Sequence, residues 1–220
     1  NPSILNLDIA THINTAEKVG GDYYDFFIQK NSNSLIIAIG DATGHGMIAG
    51  NIVSITKAGL SSVNFDSPIN EILENLNRII KKVGIGRNRM CLNICHIKDG
   101  KFEICSAGMP PTYLFKKDSD TIEELMISGL PAGSLKNNKY ISKKFDFDKG
   151  DVLVMITDGL PECEDTKGEF LGYDTIKNTI LFSAKHSSEK IKDNLKKLGT
   201  DWMEGNPITD DITFMVIKKC

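Results

Sequence analysis

The order of segment types along the 220-residue chain predicts an α+β fold, a layered sandwich of strands and helices. Strand-like runs open the chain, two adjacent helical patterns follow, and a second series of strands leads to two more helices and a closing strand. Apolar strands repeatedly stop on aspartate. No repeat, low-complexity tract or linker-like segment divides the sequence, so a single domain over 1–220 is expected.

The elements follow in order. "ILNLDIA" alternates Leu5, Leu7 and Ile9 on one face and reads as a strand. "VGGDYYDFFI" opens on a Gly20-Gly21 turn and continues as an aromatic strand, and Leu35 to Ile39 is a short, fully apolar strand. From Met47 the period becomes helical: Ile48, Ile52, Ile55 and Gly59 form one stripe, with Ala49, Val53, Thr56 and Leu60 beside it. Ser67-Pro68 reads as an N-cap followed by proline at the first helical position. The next helix carries Ile69, Ile72, Leu73, Leu76, Ile79, Ile80 and Val83 as a wholly apolar face, stopped by Gly84. "MCLNICHI" and "KFEICSA" flank the hairpin signal Asp99-Gly100. "PTYLF", the region of "IEELMI" and "VLVMITDG" are further strands; two helices lie between Tyr173 and Leu198, with Ile191, Leu195 and Leu198 on one face; "DDITFMVIKK" closes the chain.

Composition limits the function classes. The hydrophobic share of 40% and charged share of 25% suit a chain that buries a full core. With 26 basic and 29 acidic residues and a net charge of −3, no basic excess points to nucleic acid or to a membrane surface. No apolar run approaches the roughly 20 residues of a membrane span, and "NPSILNLDIA" has no signal-peptide pattern. The five cysteines are odd in number and include no CxxC pair, so structural thiols in a reducing compartment are expected rather than disulfides or zinc. A cytoplasmic location follows, and a tether through another domain stays compatible with it. The chain begins without methionine and already in strand-like sequence, which suggests a domain taken from a longer protein with an N-terminal sensor or regulatory region.

Asp41, Asp158 and the pair Asp210-Asp211 stand at the ends of apolar strands, and Asp22 follows a double glycine. Carboxylates gathered beside core strands repel one another, and hard divalent cations relieve that cost. Oxygen-only ligation points to Mg²⁺ or Mn²⁺. Two such ions about 3.5–4 Å apart deprotonate a bridging water and clamp a phosphoryl group. Taken singly, each aspartate before glycine is a common turn signal, so the weight lies in the ordered set. "GDATGHG" lacks the lysine of a nucleotide-binding loop, and His45 in a glycine turn reads as structural or solvent-facing before it reads as a general acid. Gly108, Pro110 and Pro111 read as a rigid turn, Glu162 as solvated, and Met109 and Met126 as packing residues.

The ordered set "VGGDYYDFF", "IGDATGHGMIAG", "SAGMPPTYLF", "GLPAGS", "VMITDGLPE" and "DDITFMVI" resembles the bacterial stage II sporulation protein E-like serine phosphatases, including the regulator-of-sigma-B type, of the metal-dependent (PPM) protein phosphatase superfamily. The resemblance runs from about Leu5 to Lys218. It implies a four-layer α-β-β-α sandwich, two central antiparallel sheets flanked by helices. It also implies hydrolysis of phosphoserine or phosphothreonine on a protein by water bridging two Mn²⁺ or Mg²⁺ ions. It assigns metal coordination and catalysis to Asp22, Asp41, Asp158 and Asp210, and a carbonyl ligand to Ala42, where many relatives have glycine. Strand alternation lets only one of Asp210 and Asp211 point inward, and Asp210 is favoured. The implied partner is a phosphorylated anti-sigma antagonist of the STAS type or a similar phosphoprotein, with a homodimer also compatible, and without nucleic acid or membrane contact. The competing reading is a catalytically silent module of the same fold that serves protein interaction; a two-metal nuclease is disfavoured by the lack of basic surface composition.

Overall fold

A computed structural model of the chain describes residues 6–29, 32–84 and 86–220. In chain order its elements are β1 (Leu7–Asn14), β2 (Asp22–Gln29), β3 (Ser34–Ala42), α1 (Gly46–Ser61), α2 (Ile69–Val83), β4 (Met90–Lys98), β5 (Lys101–Ala107), β6 (Thr112–Lys116), β7 (Thr121–Leu125), β8 (Ser142–Asp146), β9 (Val152–Ile156), α3 (Tyr173–Ser183), α4 (Ser188–Met203) and β10 (Ile212–Lys219). The fold is α+β. One five-stranded sheet has the order β1-β10-β9-β6-β7 and the other β2-β3-β4-β5-β8, with antiparallel pairing throughout.

The chain forms two compact units. The first comprises Asn1–Ala16, Pro110–Met126 and Phe147–Cys220; the second comprises Glu17–Met109 and Ile127–Asp146. In the second unit, α1 and α2 cover one face of the sheet, and Ile52, Leu60, Ile72, Leu73 and Leu76 pack with Ile36, Leu92 and Ile94. In the first unit, α3 and α4 bury Ile176, Ile180, Ile191 and Leu195 against Tyr113, Val154, Phe214 and Val216. The fully apolar run Leu35 to Ile39 forms β3, the middle of a three-strand ladder with β2 and β4, and is inaccessible on both faces.

Local chemistry sets the boundaries. Asp99 and Gly100 both take positive φ, as a tight two-residue hairpin between right-twisted strands requires. Gly84 ends α2 in the left-handed conformation at φ 71°, with its N–H on the Ile80 carbonyl.

Several expectations change. Ile48 and Met47 are exposed, so α1 buries a single face centred on Ala49, Ile52, Thr56, Gly59 and Leu60. Pro68 caps α2 and Ser67 makes no side-chain cap, since the extended ψ of 137° at Pro68 sets the boundary one residue later. The buried face of α2 is not wholly apolar: Glu74 and Asn77 are buried, whereas Ile79 and Val83 reach solvent. Strand β8 carries no apolar alternation and was not legible; it is an edge strand bearing Lys143 and Lys144. Met126 is exposed, unlike the buried Met109. Leu5 lies outside the described residues.

The cysteines are free, with Cys95, Cys105 and Cys163 buried, Cys91 half-buried and Cys220 exposed. Burial pushes the Cys105 thiol up to about 12, as fits an inert packing residue. Among the described residues no helix is long and apolar enough to cross a membrane.

Candidate active site

The second unit positions its acidic residues through strand register. Asp22 opens β2 directly opposite Asp41 near the end of β3. Asp22 is buried and Asp41 half-buried. Like charges directly opposed across a ladder are destabilising. The backbone closes in at this point. The Ala42 N–H donates to the Gly21 carbonyl at 3.0 Å. A Cβ on Gly21 would stand 2.9 Å from the Ala42 carbonyl oxygen and 3.2 Å from Asp41 Oδ1. Glycine here leaves open a recess with two oxygen donors at its rim. The following loop is pinned by the residue just before β4: Thr43 N–H donates to the Arg89 carbonyl at 2.9 Å, and Arg89 N–H to Thr43 Oγ1 at 2.8 Å. His45 is solvent-exposed, with Nδ1 3.1 Å from a Glu17 carboxylate oxygen.

The first unit carries the other acids. Thr157 continues β9 and bonds to β10 through its N–H and Oγ1, donating to the Thr213 carbonyl at 2.9 and 3.1 Å. That brace holds the half-buried Asp158 next to the residues that precede β10. Burial raises the Asp158 pKa above the ordinary carboxylate range, and the charge of Asp210 raises it further. The Glu162 pKa is raised as well, by burial and then by Asp158 and Asp210. The turn is tight: a Cβ on Gly159 would fall 2.0 Å from the Asp211 carbonyl oxygen. The two neighbouring aspartates divide their work. Asp211 is buried, and one of its carboxylate oxygens accepts the Ala16 N–H at 2.7 Å; Asp210 is exposed and accepts the Asp211 N–H at 2.8 Å.

Glu162 is exposed, as a solvated residue is expected to be. It stands in the turn after "TDG", and its N–H donates to the Asp158 carbonyl at 3.0 Å.

Within neither unit, among the described residues, do three His, Cys, Asp or Glu side chains gather to hold a metal ion. Mg²⁺ does not require such a cage, because it keeps several waters and is held by one or two carboxylates. The Gly21 recess with Asp41 Oδ1 and the Ala42 carbonyl, beside the opposed Asp22, presents the hard oxygen donors such an ion takes. The residues present fit a hard divalent cation.

The profile of the stage II sporulation protein E family matches residues 31–219. The chain belongs to this family. As a stage II sporulation protein E-type domain it is 29% identical over 223 residues to the phosphoserine phosphatase RsbU of Bacillus subtilis strain 168, which covers 97% of the chain and 63% of that protein. The chain spans less than two-thirds of the length of the curated relatives it matches. The SiaA-PP2C domain of Pseudomonas aeruginosa superposes with a TM-score of 0.83 over 96% of this chain and 85% of that one, at 17% identity. RsbX, solved in complex with magnesium, gives 0.75 over 97% and 96% at 20% identity. These likenesses show that the chain has the PP2C-type fold.

Proposed function

We propose that the chain is a metal-dependent protein serine/threonine phosphatase. It hydrolyses a phosphoserine or phosphothreonine on a regulatory protein, of the STAS anti-sigma antagonist kind. Family membership supports the reaction class, and the relative named phosphoserine phosphatase aligns with nearly the whole chain. The single observation that carries the metal reading is the Asp22–Asp41 register pair beside the Gly21 recess. The metal ligands are Asp22, Asp41, the Ala42 carbonyl, Asp158 and Asp210, with Asp211 left to fix its loop through Ala16. Mn²⁺ or Mg²⁺, two ions in this reading, would supply Lewis acidity when bound by these residues and would lower the pKa of a coordinated water. The protein's own part is placement. Gly21 keeps the recess open, Thr43 and Arg89 fix the loop after Asp41, and Thr157 fixes Asp158.

Hydrolysis of p-nitrophenyl phosphate, assayed with Mn²⁺ and then with excess chelator, tests this reading. Turnover is expected with Mn²⁺ and absent in chelator, and Asp41→Ala is expected to be inactive at saturating Mn²⁺. Turnover that survives in chelator would overturn it. The silent interaction module is what remains if no Mn²⁺-dependent turnover is found on this substrate or on any phosphoprotein.

A further inference from the structure

A cavity of about 110 Å³ opens beside Asp210 within the first compact unit. Gly159, Cys163, Met203, Ile208 and Ile212 wall it together with Asp210. Met203 and Ile208 are half-buried, so their apolar surface is open to whatever enters, while Cys163 and Ile212 are buried behind them. Glu164 and Asn206 line the cavity from exposed positions at its rim.

Local geometry keeps this space open. No side chain can grow into it from Gly159, because a Cβ there would meet the Asp211 carbonyl oxygen at 2.0 Å. Helix α4 ends at Met203, and Glu204 and Gly205 then take positive φ, 50° and 96°, which turns the chain off the helix. The turn is fastened at several points. Asn206 N–H donates to the Met203 carbonyl at 2.8 Å, and its Nδ2 donates to the Asp165 carbonyl at 3.0 Å. Trp202 Nε1 donates to the Glu169 carbonyl at 3.0 Å, and Thr166 Oγ1 to a Glu204 carboxylate oxygen at 3.0 Å. Asp165 ties its own turn by accepting the N–H groups of Lys167 at 2.8 Å and Glu169 at 2.9 Å. A wall held in this way is preformed, and little ordering is needed when a ligand enters.

Size and position together name the occupant. The volume falls well below the roughly 300–1,000 Å³ of sites that take whole small molecules. An apolar cavity of about 150 Å³ holds a benzene ring, so this one suits an aliphatic group of side-chain size. Asp158 directly precedes Gly159, and the charge of Asp210 acts on it. In the phosphatase reading these two carboxylates serve the phosphoryl site. A side chain that fills the cavity at the same time belongs to a residue next to the phosphoserine, since consecutive Cα atoms are only about 3.8 Å apart. The exposed carboxylate of Glu164 at the rim opposes an acidic side chain there.

We propose that this cavity is a specificity pocket for an aliphatic side chain, of the valine or leucine kind, directly flanking the phosphoserine of the protein substrate. The inference rests on the phosphatase reading and adds the chemistry of the substrate beside its phosphate. Met203 and Ile208 meet the aliphatic group, and they are separate from the proposed metal ligands.

Steady-state kinetics in Mn²⁺ test it, with short phosphoserine peptides that carry Ala, Val, Leu or Asp immediately before or immediately after the phosphoserine. At one of the two positions kcat/KM is expected to be at least about tenfold higher for Val or Leu than for Ala, with Asp below Ala. Ile208→Ser is expected to bring the Val-to-Ala ratio close to one while turnover of p-nitrophenyl phosphate, which has no flanking residue, stays unchanged. Should Ile208→Ser fail to fold, as judged by circular dichroism, Met203→Ser takes its place, and the peptide series on the unaltered protein stands without either. Equal kcat/KM for Ala, Val and Leu at both positions, or a preference undiminished in the folded variant, would overturn the pocket. So would a folded variant that loses p-nitrophenyl phosphate turnover in parallel with peptide turnover. Absence of Mn²⁺-dependent turnover on every substrate counts against the phosphatase reading instead. The pocket is then decided by fluorescence anisotropy with labelled, non-hydrolysable phosphonate versions of the Val and Ala peptides: tighter binding of the Val peptide upholds it, and equal or no binding overturns it.

Discussion

Asp22 and Asp41 face one another across β2 and β3, and that opposition costs stability unless a cation stands nearby. Asp41→Asn is therefore expected to abolish Mn²⁺-dependent turnover while the melting free energy in chelator holds or rises by about 0.2–1 kcal/mol. A fall in chelator stability would show that Asp41 is needed for folding rather than for the metal. Gly21→Ala is the complementary change. Its Cβ would crowd the Ala42 carbonyl and Asp41 Oδ1, and on the proposed reading a displacement of these oxygens by about 1 Å would cost roughly a hundredfold in rate. Mn²⁺ affinity, read by titration, is expected to fall with turnover; wild-type affinity would mean that the recess is not used. His12 supplies a pH test away from these residues. Burial, then Lys196 and Lys192, hold its pKa below 6.5, and its ring stacks near Phe214 with centroids 5.0 Å apart. The unfolded chain takes up that proton more readily, so the stabilising contribution is present above pH 6.5 and is lost as pH falls through the folded value. His12→Gln is expected to flatten the acid limb of denaturant stability below pH 6.5, and identical slopes for the two proteins would exclude this role. The strand-flanking positions of Asp22, Asp41, Asp158 and Asp210 were legible in the sequence because periodicity reveals the strands beside them: Asp22 begins β2, Asp41 stands one residue before the end of β3, and Asp158 and Asp210 stand two residues outside β9 and β10. The role of Asp211 was not, because its partner Ala16 lies 195 residues away. The influence of Asp158 and Asp210 on the exposed Glu162 was not legible for a related reason: a turn residue has no period, and that influence exists only in the fold.

At the scale of elements, α2 shows what patterning reveals and what it hides. The apolar positions Ile69, Ile72, Leu73, Leu76 and Ile80 are all buried, as their spacing predicts. Asn77 interrupts that face and is fully buried. Its Nδ2 donates to the Leu135 carbonyl at 2.9 Å and its Oδ1 accepts the Gly133 N–H at 2.8 Å. This one amide fastens the "GLPAGS" segment to the helix, while Ala132 and Met90 exchange backbone bonds at 2.7 and 3.0 Å on its other side. Asn77→Leu keeps the volume but strands a buried donor and an acceptor, at a cost of about 1–3 kcal/mol for each group left unpaired. Denaturant melts of the variant test this, and a loss below about 0.5 kcal/mol would mean that water replaces the amide. Hairpin β4–β5 was legible because Asp99-Gly100 encodes its turn locally. Strand β8 was not, because Ser142–Asp146 is half-exposed and lysine-rich, and its pairing with β5 is a long-range choice.

Across the whole molecule the two units differ in how the chain supplies them. Most of the second unit comes from the continuous stretch Glu17–Met109, and its ladder β2-β3-β4-β5 joins strands that are neighbours in sequence apart from the α1–α2 excursion. The sheet of the first unit is drawn from three separated segments, and its β1–β10 ladder pairs Leu7 with Lys219. Closing a loop of that length carries an entropy penalty that must be met before the pairing returns any stabilisation, so such contacts form late. The register of β1 against β10 extends from Leu7↔Lys219 to Asn14↔Ile212, and the Ala16–Asp211 bond stands just beyond it. The seating of Asp211, and with it the backbone placement of Asp210, thus depends on the last long-range step of folding. Pulse-labelling hydrogen exchange during refolding is expected to protect the amides of β3 and β4 first and those of β1 and β10 last, on the millisecond-to-second scale usual for sheets of high contact order. Turnover in Mn²⁺ is expected to recover with the β1–β10 amides and not with those of β3 and β4. Simultaneous protection of both ladders would mean that the units fold as one cooperative event, and activity that returns before β1 is protected would separate Asp210 from the closure of that strand.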